Sequence, residues 1–143
     1  MPLLYSAETA SLGTTQPRLS GFNVGGKIRR YVATITLASQ ATTDWILLAR
    51  LRAGEKFIGG RITASATLGS SVVAVGTNAT HASNGQYRAA GTFTAVDTPT
   101  EFGLASAKAS ARLAVDTDVF LTIATAALPS SGTLVIEIDV LAA

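Results

Sequence analysis

The amino-acid sequence predicts an all-β protein: an antiparallel β-sandwich preceded by an extended N-terminal arm. Three observations point there. Hydrophobic residues make up 48% of the chain but are largely Ala and Val; with the many Thr, Ser and Gly residues, this is the composition of a small-residue β-protein, not a helical bundle. Several stretches alternate apolar and polar residues at a period of two, the pattern of a strand with one buried face. Turn chemistry separates them at Ala53-Gly54-Glu55-Lys56, Leu68-Gly69-Ser70-Ser71, Asp116-Thr117-Asp118 and Leu128-Pro129-Ser130-Ser131-Gly132.

Residues 1–30 show no sustained period. Gly13, Pro17, Gly21, Gly25 and Gly26 interrupt any helix or strand before it propagates. Composition alone fits a disordered tail as well as an arm that docks on another surface; Leu3, Leu4, Tyr5, Leu19 and Phe22, for which a solvated tail has little use, favour the arm. The domain proper then spans residues 31–143. Tyr31 to Ala38 is its first strand, with Tyr31, Ala33, Ile35 and Leu37 on one face. After the polar link Ser39–Thr43 comes the stretch that organises the chain, Trp45 to Val75. Ile46–Arg52 is apolar and extended, and Phe57 and Ile58 resume the sheet. Gly59-Gly60 marks a bulge or bend. Ile62, Ala64, Ala66 and Leu68 alternate with Arg61, Thr63, Ser65 and Thr67, and Val72–Val75 follows as the next strand of one meander.

Gly76 to Tyr87 is a loop carrying the strong turn pair Asn84-Gly85. Arg88 to Thr98 holds a short apolar element around Phe93, ended by Asp97-Thr98-Pro99. Leu104 to Leu113 is Ala-rich and fits either a short helix or extended chain. Val119–Ala124 is a strand, and the closing strand places Leu134, Ile136, Ile138 and Val140 on one face. ITASATLGSSVVAV and LTIATAALPSSGTLVI echo one another as two similar hairpins, which suits a two-sheet sandwich.

Composition narrows the function. A 143-residue chain buries roughly 70% of its unfolded surface and needs no disulfide or metal to fold. It has no cysteine, which removes thiol catalysis and zinc-thiolate sites. Charged residues are only 14% of the chain, against ~25–35% for the surface of a free-standing soluble domain. Part of the surface is therefore expected to be hidden in an assembly. The net charge of +2 is too small to argue for nucleic acid. The charge is uneven: residues 1–30 hold Arg18, Lys27, Arg29 and Arg30 against Glu8, a net +3, and the remaining seven basic and eight acidic residues sum to −1. No apolar run approaches the ~18 residues of a membrane helix. MPLLYSAETAS lacks the basic start and apolar core of a secretory signal, so synthesis and use inside a cell are expected.

Candidate chemistry is sparse. His81, the one histidine, lies in a polar loop without a neighbouring acid and reads as a solvated side chain. Asp116-Thr117-Asp118 lacks the Gly and closing Glu of a calcium loop and reads as a strand-initiating turn. Glu137 and Asp139 share the solvated face of the last strand. Asn78-Ala79-Thr80 matches a glycosylation triplet, and Gly25-Gly26-Lys27 lacks the spacing of a phosphate-binding loop. Lys27, Arg29, Arg30, Arg50, Arg52 and Arg61 form at most a basic patch without the interleaved aromatics that stack on bases. No catalytic residue, cofactor or metal site is expected.

The run ILLARLRAGEKFIGGRITASATLGSSVVAVGT resembles a segment of small virion proteins of tailed bacteriophages, encoded beside the major capsid protein. The closing VDTDVFLTIATAALPSSGTLVIEIDV is similar to the same group. The resemblance covers about residues 31–143 and carries no catalytic signature. It implies a jelly-roll-like β-sandwich that decorates the outside of the phage head as an oligomer, a trimer favoured, with the major capsid protein as partner. It further implies a virion location on the capsid exterior after assembly in the host cytoplasm, with neither nucleic acid nor membrane as partner. Leu3, Leu4, Tyr5, Arg18, Phe22, Lys27, Arg29 and Arg30 are then the candidate capsid or subunit contacts. Two other functions fit the same residues: a head-spike, fibre-base or tail component, and a carbohydrate-binding module using the Gly76–Tyr87 loop. Trp45 and Tyr87 are the stacking aromatics available to the latter, and core burial is the expectation for Trp45 at its strand start.

Overall fold

The computed structural model describes residues 27–142. Eight strands form two antiparallel four-stranded sheets: β1 (Ile28–Thr36), β2 (Trp45–Leu51), β3 (Lys56–Ala64), β4 (Val72–Gly76), β5 (Arg88–Thr92), β6 (Thr100–Phe102), β7 (Thr117–Ala124) and β8 (Thr133–Leu141). The first sheet has the order β1-β8-β3-β6 and the second β2-β7-β4-β5. Strands thus pair as 1 with 8, 2 with 7, 3 with 6 and 4 with 5, a four-pair ribbon wound across two layers. Two antiparallel sheets packed face to face are the β-sandwich expected from the sequence.

Alternation does what the sequence requires of it. Ile35, Phe57, Ile62, Leu134, Ile136 and Ile138 point inward from the first sheet, and Leu51, Val73, Val75, Val119, Leu121 and Ile123 from the second; all are buried. Burying each such side chain fully contributes about 1.5–3 kcal/mol. Across the pleat, β8 sends Val135, Glu137 and Asp139 outward. At one end of the core the Phe57 ring stacks flat on Tyr87, centroids 4.0 Å apart, with Phe102 6.5 Å away on its other flank.

Several expectations change. The stretch from Trp45 to Val75 is not one meander: β2 and β4 lie in the second sheet and β3 in the first. The two echoing segments are likewise arches between sheets, not hairpins, since β3 leads to β4 and β7 to β8 across the core. A Gly/Ser turn has the same local chemistry whether it folds within a sheet or over its edge. The register shift between Phe57 and Gly59 confirms the bulge expected there. Gly60 beyond it is obligatory, because a Cβ would overlap the Phe102 ring and lie 2.8 Å from the Glu137 carbonyl oxygen. The strand through Arg61 stops at Ala64: the Ser65 amide still bonds Thr133 O at 2.9 Å, but the Thr133 amide donates to Ser65 Oγ at 2.8 Å instead of to the backbone. The element around Phe93 is β5, which ends before Phe93, and the short β6 follows Pro99. Ala105–Lys108 forms the short helix α1 within the Leu104–Leu113 stretch.

β1 begins at Ile28, so Arg29 and Arg30, which the sequence assigns to the arm, belong to the sheet. Leu3, Leu4, Tyr5, Arg18 and Phe22 lie outside the described residues.

Candidate functional site

The sandwich presents two outer faces, and the sequence-predicted site residues divide between them. The outer face of the first sheet carries a ladder of charge. Arg30 on β1 grips Asp139 on β8 in a bidentate pair, Nε to Oδ1 at 2.7 Å and Nη2 to Oδ2 at 3.1 Å. Its Nη1 also lies 3.4 Å from Glu137, and Arg61 on β3 bridges Glu137 (3.9 Å) to Glu101 on β6 (3.6 Å). Bonded to Asp139, the Arg30 guanidinium is held above its ordinary pKa. Glu137 and Asp139 are therefore half-buried members of an ion-pair row, not free carboxylates.

Arg29 points the other way along β1 and donates to Glu55 Oε2 at 3.2 Å. Glu55 is fully buried in the β2–β3 turn and also accepts from the Tyr31 hydroxyl (2.7 Å) and the Arg52 amide (2.6 Å). Arg29 and Arg30 thus both serve carboxylates of their own chain. Lys27 is exposed just ahead of β1. Beside the ladder, at the sheet edge, Ile28 and Val32 are 63% and 59% exposed, large apolar side chains on an edge strand.

On the second sheet Arg50 forms a bidentate pair with Asp118, at 2.6 and 3.0 Å, which depresses the Asp118 carboxyl below its ordinary pKa. Asp116 caps the Ala53 amide at 2.9 Å. Arg50 and Arg61 lie on opposite outer faces, so no basic patch forms from them. Among the described residues, no group of three metal-ligating side chains converges, and no helix is long and apolar enough to cross a membrane.

The loop from Thr77 to Gln86 folds over the second sheet's outer face. Asn84 holds it there: Nδ2 reaches Ala74 O and Phe120 O at 3.2 Å and Thr122 Oγ1 at 3.0 Å, while Oδ1 accepts from the Asn78 amide. Gly76 makes room, since a Cβ there would overlap the Gln86 and Asn84 side chains. A 3₁₀ turn, His81–Ser83, forms the crest. His81 is half-buried, not solvated, and its Nδ1 is enclosed without a hydrogen-bond partner.

Trp45 reverses the expectation placed on it. It is 58% exposed, because β2 is an edge strand and its alternation turns Trp45 and Leu47 outward before the bulge at Leu48. Tyr87 instead is buried against Phe57. Trp45, Thr42 to Asp44, and Ala79 to His81 together wall a cleft of about 270 Å³ floored by Thr122. The sequence offered Trp45 and Tyr87 as stacking aromatics beside this loop; the structure keeps Trp45 at the cleft and buries Tyr87 in the core.

No family model and no curated protein sequence matches the chain. Its fold is similar to chains in three solved phage capsids. A chain of the cyanophage Pam1 capsid asymmetric unit superposes with a TM-score of 0.67 at 16% identity, covering 100% of each chain. One in the capsid of Ralstonia phage GP4 gives 0.65 at 16% identity over 82% of this chain and 86% of that one. One in the acid-stable capsid of Helicobacter pylori bacteriophage KHP30 gives 0.59 at 11% identity over 80% and 87%. What these likenesses establish is the fold.

Proposed function

We propose that the protein is a structural component of a phage virion, a decoration or cement protein that binds the outer surface of the head as an oligomer and stabilises contacts between capsomers. The observation that carries this reading is the end-to-end likeness to a chain of a phage capsid asymmetric unit, repeated in two further phage capsids. A protein of such weak sequence similarity that keeps the same fold fits a role set by surface shape. The low charge and the exposed Ile28 and Val32 at the β1 edge support it, as surfaces suited to burial against another protein.

In this reading the partner is the major capsid protein, the site is the capsid exterior, and the oligomer is a trimer. Leu3, Leu4, Tyr5, Arg18, Phe22 and Lys27 extend the contact from the N-terminal segment, while Arg29 and Arg30 contribute by fixing the strand from which it departs. Many weak contacts repeated over a lattice give high avidity without one strong site.

The experiment is light scattering of the purified protein, followed by co-sedimentation with undecorated heads. The expected result is a trimer that pellets with heads, and a variant lacking residues 2–26 that stays folded but remains in the supernatant. A monomer that ignores heads overturns the proposal.

A further inference from the structure

The cleft on the second sheet is unexplained by any role in holding the fold together. Its wall is the single tryptophan of the chain, more than half exposed at a strand edge. Exposing an indole costs hydrophobic stabilisation that an inward register would have gained. Opposite it, Asn84 ties the loop to the sheet through three acceptors and so holds Thr80 and His81 in place. Asp44 completes the lip, its Oδ2 fixed by the Ala41 amide at 2.8 Å. The unpartnered His81 Nδ1 is a cost of order one lost hydrogen bond, kept at the cleft wall.

We propose that this cleft is a binding site for an uncharged pyranose sugar. The chemistry converges on that class. An exposed indole face takes the apolar C–H face of a sugar ring, while the ring's hydroxyls need nearby donors and acceptors. Thr42, Thr43, Thr80, Asp44 and His81 supply them around the rim. The volume of about 270 Å³ suits one ring, not an extended peptide. No lysine or arginine lines it, and Asp44 adds negative charge, which disfavours phosphates, nucleotides and acidic sugars. His81 lines the cleft, so its imidazole is within reach of a hydroxyl seated there. The site lies on the second sheet, whereas the exposed β1 edge belongs to the first.

The sole tryptophan makes its fluorescence a reporter of this cleft. The full chain, without heads, is titrated with the methyl glycosides of glucose, galactose, mannose and N-acetylglucosamine, with adenosine monophosphate as the charged control. The expected result is a saturable change in emission with at least one glycoside, with a dissociation constant on the order of 1–10 mM, as befits one small ring. His81→Ala, which keeps the reporter, weakens that binding roughly tenfold, the loss of one hydrogen bond. Trp45→Ala, followed by calorimetry, abolishes it.

No saturable change with any glycoside up to about 100 mM overturns the site, since that corresponds to no useful affinity. A response as strong to adenosine monophosphate overturns the sugar class. An emission change that follows protein concentration, together with a change of oligomeric mass in Trp45→Ala, assigns Trp45 to a subunit interface and overturns the proposal as well. Head binding enters none of these measurements, so the failure of one reading leaves the other standing.

Discussion

The Tyr31 hydroxyl donates to the Glu55 carboxylate at 2.7 Å in a place where Glu55 is wholly shielded from solvent. That bond joins the edge strand β1 to the β2–β3 turn, and Arg29 and the Arg52 amide complete the carboxylate's shell. The first strand after the N-terminal segment is thereby anchored on both its faces: inward by Arg29 and Tyr31 on Glu55, outward by Arg30 on Asp139.

Replacing Glu55 with Ala strands the Tyr31 hydroxyl and the Arg52 amide. A cost of about 2–4 kcal/mol is expected, because buried polar groups lose their partner while the part-exposed Arg29 turns to water. Urea unfolding should show a lower midpoint at unchanged slope. Wild-type stability in the variant would mean that the turn does not depend on this carboxylate.

Tyr31 and Tyr87 set the alkaline limit. Burial first, and then the Glu55 hydrogen bond, raises the Tyr31 pKa above its ordinary 10.0; burial alone raises that of Tyr87. The folded state therefore holds both protons more tightly than the unfolded chain. Their contribution is complete below pH 10 and is lost as pH climbs from there through the raised folded values. Melting temperatures measured from about pH 8 to 12 should fall most steeply above 10, and Tyr87→Phe should flatten part of that fall. An identical profile in the variant would exclude Tyr87 as a contributor.

Gly76→Ala places a methyl group where Asn84 and Gln86 pack. The loop must lift from the second sheet, at a cost of about 1–3 kcal/mol typical of overpacking. Because His81 and Trp45 share the cleft beneath that loop, the tryptophan emission should shift as well. A destabilised variant with unchanged emission would show that the loop yields elsewhere.

Val32→Glu tests the exposed β1 edge. Val32 is 59% exposed, so the substitution should alter the folding free energy by no more than about 0.5 kcal/mol. Under the capsid reading it should nevertheless reduce oligomerisation or pelleting with heads. A folded, fully binding variant would move the contact surface away from this edge.

Much of the fold is legible in the chain because period-two alternation is a local signal. The inward Ile35, Ile62, Leu134, Ile136 and Ile138 can be read directly, as can the turns at Gly54, Gly69 and Gly132. The ion-pair row is half legible: Glu137 and Asp139 announce a polar strand face, but Arg30 and Arg61 reach them only because β8 lies between β1 and β3.

The sequence by itself determined where most of the longer strands run, which side of them is buried, and that the protein is a small-residue β-sandwich. Tertiary structure alone decided that consecutive strands, β4 and β5 excepted, cross between sheets instead of pairing, that β2 is an edge, and that Trp45 consequently faces solvent opposite His81. The reason is physical. Alternation encodes the burial of each strand against something, and turn residues encode a reversal of direction. Neither encodes which neighbour supplies the hydrogen-bond ladder. That choice follows from packing both apolar faces into one core, a property of the whole chain.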